Sequence, residues 1–302
     1  MATRTHTLLG ILAVALIASV SLSAQKAFDR RFDVAPGGQL RLDADVGSVA
    51  LVGRAGHEVV VHAQVNGSDS FLADLDITAE QTSSGVTVTA HKAHSGWFDW
   101  FNNGSERVHF TIDVPRDYSV ELRTSGGSLD VRNVNAPVQG RTSGGGIVVE
   151  DVTGPVKMHT SGGSIEAERL NGTIELGTSG GGITVADVQG DLDAHTSGGG
   201  IHLKNIDASV RASTSGGGVH AEMRSNRGIS LSTSGGTISL LLPANVGASI
   251  DARTSGGSVS SALPFTTTGT VDHARLHGAI NGGGEQVVLR TSGGSISVGP
   301  LT

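Results

Sequence analysis

The sequence Thr-Ser-Gly-Gly recurs nine times, starting at Thr124, Thr142, Thr160, Thr178, Thr196, Thr214, Thr233, Thr254 and Thr291. The first six copies stand 18 residues apart, and the later gaps are 19, 21 and 37. A fixed short period means that one structural unit is built repeatedly, with each copy packing on its neighbour. Within one repeat, Ile201 and Leu203 alternate with His202 and Lys204, and Val210, Ala212 and Thr214 alternate with Arg211 and Ser213. That is the period of a strand, not of a helix. Gly, Asn and Asp divide these short runs and suit tight turns.

Eighteen residues leave no room for a helix beside two strands. The fold expected is all-β: a parallel β-solenoid, or single-stranded β-helix, with one repeat per coil. Equivalent strands then stack at about 4.8 Å per coil. One inward column reads Leu129, Ile147, Ile165, Ile183, Ile201, Val219. A second reads Val131, Val149, Ala167, Val185, Leu203, Ala221, and a third Val138, Val156, Ile174, Leu192, Val210. The paired glycines are expected to supply positive φ at a sharp corner. By parity Thr214 points inward and Ser215 faces water, which argues against an outward threonine array of the ice-binding kind.

Composition agrees with a thin core of small residues: 45 glycines and only ten aromatic residues in 302. The formal net charge of −7 argues against a nucleic-acid partner, because phosphate binding needs a basic surface. With no cysteine, disulfides, thiolate metal sites and a lipid-modified Cys anchor drop out. Arg4 and His6 precede an apolar run from Leu8 to Ala18 and a small-residue exit, Ser21-Leu22-Ser23-Ala24. This pattern describes a signal peptide over 1–24, and the run is well short of the ~20 residues of a membrane span. An extracytoplasmic location follows, whether periplasm, outer surface or secreted.

Residues 25–123 carry strand patterns without the repeat: Leu40-Arg41-Leu42, Val59-Val60-Val61, Val86 to Thr89 and Val108 to Ile112. Gly37-Gly38, Asn66-Gly67 and Asn102-Asn103-Gly104 read as turns. This segment is expected to form irregular first coils and a cap. Residues 124–302 are expected to form the regular solenoid, with a longer excursion at 263–290.

Asp113-Val114-Pro115 leading into Glu121 to Gly127, and Gly278-Ala279-Ile280-Asn281-Gly282-Gly283-Gly284 followed by Val287 to Val298, resemble the bacterial family called putative adhesins, a domain of unknown function. The resemblance spans roughly Phe28 to Val298. It implies a β-solenoid, a secreted or surface location and a role in adhesion. It brings no catalytic residues that can be carried over.

Several groups are candidates for chemistry. The residue before each Thr forms an outward column: Arg123, Arg141, His159, Gly177, His195, Ser213, Ser232, Arg253, Arg290. This partly basic stripe suits an anionic ligand. Alternatively it is a solvated face neutralised by the next column, Glu121, Lys157, Glu175, Asp193, Arg211. Glu150 and Glu168 share an outward position in adjacent coils, and their spacing approaches the ~5 Å of a retaining glycosidase pair. Their column, from Arg132 to Glu222, reads equally well as a mixed-charge ladder. His91 with His94, and His202 stacked over His220, are the best histidine pairs, each without an evident third ligand. Calcium in the glycine turns is disfavoured because Ile or Val follows the glycines where calcium-binding repeats need Asp.

Trp97-Phe98-Asp99-Trp100-Phe101 gathers four of the ten aromatic residues, and Trp97, Phe98, Trp100 and Phe101 are either a partner contact or a cap over the solenoid end. The reading as a whole is an exported, non-enzymatic, adhesin-like interaction protein without metal or cofactor. Its partner would be a cell-surface glycan or an envelope protein. A structural envelope protein without a specific ligand is the alternative, and a carbohydrate-active β-helix enzyme the third reading.

Overall fold

The computed structural model describes residues 24–93, 107–267 and 272–301. The signal peptide expected over 1–24 lies almost entirely outside them, and so do His94 and the whole aromatic run Trp97–Phe101.

Most of the described chain is strand, and the 18-residue period is a structural coil. Ile165–Thr178 pairs in parallel with Ile183–Thr196, and Ile183–Thr196 with Ile201–Thr214, with every partner 18 residues away. Each coil supplies two strand runs, one after the Thr-Ser-Gly-Gly corner and one before the next. The first runs stack as Leu129–Val134, Ile147–Thr153 and the front of Ile165–Thr178. The second runs stack as Ser119–Thr124, Val138–Thr142, Val156–Thr160 and the back of Ile165–Thr178. All three inward columns read from the sequence are buried. A fourth column, Val134, Val152, Leu170, Val188 and Ile206, is buried as well, although these residues stand in what reads as turn sequence.

That fourth column exists because one residue per coil is left-handed. Asn133, Asp151, Arg169, Asp187 and Asn205 have φ between 54° and 61°. Each inserts one step that breaks the alternation, so the residue after it points inward again, as a bulge does. Asn and Asp tolerate this region best. Arg169 is the exception in type, and the carboxylates around it hold it there.

The paired glycines do something other than expected. None of them is left-handed, and the positive-φ glycines of the regular coils are Gly154, Gly172, Gly190 and Gly228 instead. The corner needs glycine for close approach. A Cβ on the second glycine of each motif would lie 1.8–2.4 Å from a glycine carbonyl oxygen of the neighbouring coil. The threonine before the glycines is buried in every copy. Its Oγ1 donates to that same carbonyl, as Thr160 does to Gly145 O at 2.7 Å and Thr196 to Gly181 O at 2.7 Å. In several copies it also accepts from the amide three residues on, for example Gly163 N at 3.3 Å. The motif is thus a hydrogen-bonded clamp between coils, and Ser215 faces solvent as the parity requires.

At both ends the stack departs from chain order. Gln39–Ala44 lies between Ser119–Thr124 and Gly85–Lys92, parallel to both. Ser48–Arg54 likewise lies between Leu129–Val134 and Arg107–Pro115. At the other end Gln286–Thr291 is inserted between Ile229–Thr233 and Ala248–Thr254. Ile296–Pro300 takes the matching place between Ile238–Leu242 and Val259–Ser261.

Antiparallel strands then finish each end. Glu58–Gly67 and Ala24–Asp33 lie outside Arg107–Pro115, and Leu75–Thr82 lies on Gly85–Lys92. Arg275–Ile280 and Phe265–Thr267 lie outside Ala248–Thr254. Antiparallel strands need only short connections and do not present another full coil edge for pairing. Asn66-Gly67 is not a turn: both residues pair within the antiparallel ladder to Gln25 and Ala24. The helix Asp69–Asp74 follows, its amino end capped by Ser68 Oγ accepting from Phe71 N.

Candidate functional site

The residues before each threonine stack in one outward column, but its order differs from the sequence order. Register runs Asp43, Arg123, Arg141, His159, Gly177, His195, Ser213, Ser232, Arg290, Arg253. Arg290 stands before Arg253 because its coil is the inserted one.

The flanks of this column are neutralised. Arg123 Nη2 lies 2.7 Å from Glu121 Oε1. Arg290 and Arg253 both bind Asp251, the latter through Nε at 2.9 Å. In the next column Lys157 Nζ lies 2.8 Å from Glu175, and Arg211 stands 3.9 Å from Asp193. Exposed pairs of this kind add little to stability, but they cancel local field. Arg141 is exposed and forms no ion pair among the described residues. His159 sits half-buried beside it. Burial pushes the His159 imidazole below its ordinary value, with the charges of Arg141 and His195 adding to the effect. The column therefore keeps an uncompensated cation at Arg141.

Gly177, between the two histidines, was visible in the sequence as a gap in the column. It is buried although it lies on the outward face. The rings of His159 and His195 close over it: the position of a Cβ there would be 2.9 Å from His159 Nδ1 and 2.6 Å from His195 Nε2.

Glu150 and Glu168 are in register, as the period requires. Both are held by arginines. Arg132 Nη1 donates to Glu150 Oε2 at 2.8 Å, and Arg169 binds Glu150, Glu168 and Asp151. The Arg169 hydrogen bond holds the Asp151 carboxyl below the usual carboxylate range. This is a cross-coil ion ladder, and its second role is to support the left-handed Arg169. His202 and His220 are stacked with ring centroids 6.4 Å apart, and His220 Nε2 faces Glu222 Oε1 at 3.3 Å. His91 Nδ1 lies 3.3 Å from Asp45. No helix among the described residues is long and apolar enough to cross a membrane.

A family model described as Toastrack DUF4097 matches residues 40–299. No curated protein matches the chain. Among solved structures, a putative adhesin from Parabacteroides merdae is 10% identical, with 92% of this chain and 97% of that chain covered and a TM-score of 0.44. A putative lipid binding protein from Parabacteroides distasonis is 11% identical, covering 91% and 97%, with a TM-score of 0.42. A putative adhesin from Bacteroides fragilis is 13% identical over 91% and 97%, with a TM-score of 0.34.

Proposed function

The chain belongs to the Toastrack DUF4097 family, and from that premise we propose that it is an exported, non-enzymatic, adhesin-like protein that holds one face of its solenoid against an anionic cell-surface glycan. Export rests on the basic, apolar and small-residue pattern from Arg4 to Ala24. The binding face rests on one observation. In a protein of net charge −7, the outward column keeps Arg141 free of any ion pair among the described residues, while Arg123, Arg253 and Arg290 are neutralised by carboxylates.

The parallel register favours extended ligands, because it offers one side chain per coil at about 4.8 Å, close to the spacing of successive sugar units. Arg141 would meet a sulfate, phosphate or carboxylate group as a forked donor. A non-enzymatic role is supported by Glu150 and Glu168, which are engaged by Arg132 and Arg169.

A glycan array with the purified protein tests the reading. Wild type should retain sulfated or uronic-acid glycans, salt should weaken that retention, and Arg141→Glu should abolish it. Equal retention by wild type and Arg141→Glu would refute the assignment of the face. The neutralised flanks favour a second reading, a structural envelope protein without a specific ligand. An array with no hits, together with an empty pull-down from the native cell surface, would support it.

A further inference from the structure

We propose that His159 and His195 form a two-histidine binding site for a divalent cation of the imidazole-preferring class (Zn2+, Ni2+ or Cu2+) in the space above Gly177. The parallel register puts these residues on one outward column with a single coil between them. Their backbones are therefore about 9.6 Å apart, twice the strand spacing. At any other residue type the intervening side chain would fill that gap. Glycine leaves it open, and both rings lean into it.

The point where a Gly177 Cβ would sit is 2.9 Å from His159 Nδ1 and 2.6 Å from His195 Nε2. The two nitrogens thus converge from opposite sides on one small volume. An ion with metal–nitrogen bonds of about 2.0–2.1 Å bridges nitrogens up to ~4 Å apart. Neither nitrogen has a hydrogen-bond partner among the described residues, whereas His62 faces Asp29 and His220 faces Glu222. A surface imidazole with nothing to bind would gain by turning to water, yet these two cover a buried glycine.

The surroundings favour a cation over an anion. Glu175 and Asp193 stand two residues before Gly177 and His195, on the same outward face. Glu175 is held by Lys157 and Asp193 stands 3.9 Å from Arg211, so they act on an ion over Gly177 through their field and not as ligands. Arg141 flanks the far side and limits the charge the site accepts, so a single divalent ion with water in its remaining positions fits. The described residues contain no group of three or more ligating side chains, so the two histidines supply the protein part of the site. Imidazole ligands select zinc, nickel and copper over calcium or magnesium. The proposal does not depend on the adhesin reading, which rests on Arg141.

The test is calorimetric titration of the full chain with ZnCl2, NiCl2 or CuCl2 alone, on wild type and four variants. One equivalent should bind to wild type. Affinity should fall at least about tenfold, or ~1.4 kcal/mol, in His159→Asn, His195→Asn and Gly177→Ala. His202→Asn should bind as wild type does. Gly177→Ala matters most, since it keeps both histidines and only fills the space between them. Circular dichroism of each metal-free variant confirms that it folds. Long-range 1H–15N spectra of wild type need no variant, and zinc should shift Nδ1 of His159 and Nε2 of His195. No saturable binding up to about 1 mM metal would overturn the proposal. So would retention of wild-type affinity in any of the first three variants.

Discussion

The corner glycines give the sharpest stability prediction, because two adjacent residues of the same type should respond in opposite directions. Consider Gly162 and Gly163. A Cβ on Gly163 would lie 2.2 Å from Gly145 O, 2.4 Å from Gly145 C and 2.5 Å from Gly146 N. These are backbone atoms of the adjacent coil and cannot rotate away. Restoring ordinary contact means lifting the corner by about 1 Å, through the bond from Thr160 Oγ1 to Gly145 O at 2.7 Å and that from Gly162 N to Ser143 O at 2.9 Å. Two lost hydrogen bonds cost about 2 kcal/mol, and overpacking adds about 1–3 kcal/mol. Reduced freedom of the unfolded chain returns about 0.4–1 kcal/mol. Gly163→Ala should therefore lose about 3 kcal/mol, a fall in Tm of roughly 6–12 °C for a chain of this size.

On Gly162 the same methyl meets its nearest atom, Gly144 O, at 3.4 Å. With no backbone strain to offset the entropy term, Gly162→Ala should be neutral or stabilise by up to about 1 kcal/mol. Urea unfolding of the two variants side by side measures the difference. Equal midpoints, or a greater loss at Gly162, would refute the close-approach account of the motif. A result explained by positive φ would instead penalise both positions.

Ile183→Asp should destabilise by several kcal/mol or leave the new carboxyl protonated, because Ile183 is fully buried between Ile165 and Ile201; Thr184→Asp, exposed one residue on, should hold the wild-type melting temperature. Asp207 accepts a hydrogen bond from Ser225 and contacts Arg227, which together hold its carboxyl below the usual carboxylate range. A depressed folded-state value means that its stabilisation is present above the unfolded value of about 4 and is lost as pH falls through the folded one. The stability gap between wild type and Asp207→Asn should accordingly be full at pH 7 and shrink in urea titrations run below about pH 4; a gap that widens on acidification would contradict the assignment.

The period and alternation in this sequence were enough to determine the coil, its parallel register and three of its inward columns. One-dimensional repetition maps directly onto a stack in which each unit touches only its neighbours. The same logic placed Thr214 inward and brought Glu150 to Glu168 and His202 to His220. The column of Val134, Val152, Leu170, Val188 and Ile206 escaped because Asn133, Asp151, Arg169, Asp187 and Asn205 are left-handed, and a conformational switch at one residue shifts the parity of the residues just after it.

What the tertiary structure alone decided has a common cause. Whether a glycine serves conformation or proximity depends on what lies in the next coil, and the motif is the same either way. Coil order at the ends depends on which edge a strand finds free. The apolar patterns of Gln286–Thr291 and Ala248–Thr254 would suit either place, so only pairing in three dimensions puts the last coil between two earlier ones. The convergence of His159 and His195 was half-visible as a glycine in a column of larger residues. That the rings turn toward each other over Gly177 is a matter of rotamers, which no one-dimensional pattern encodes.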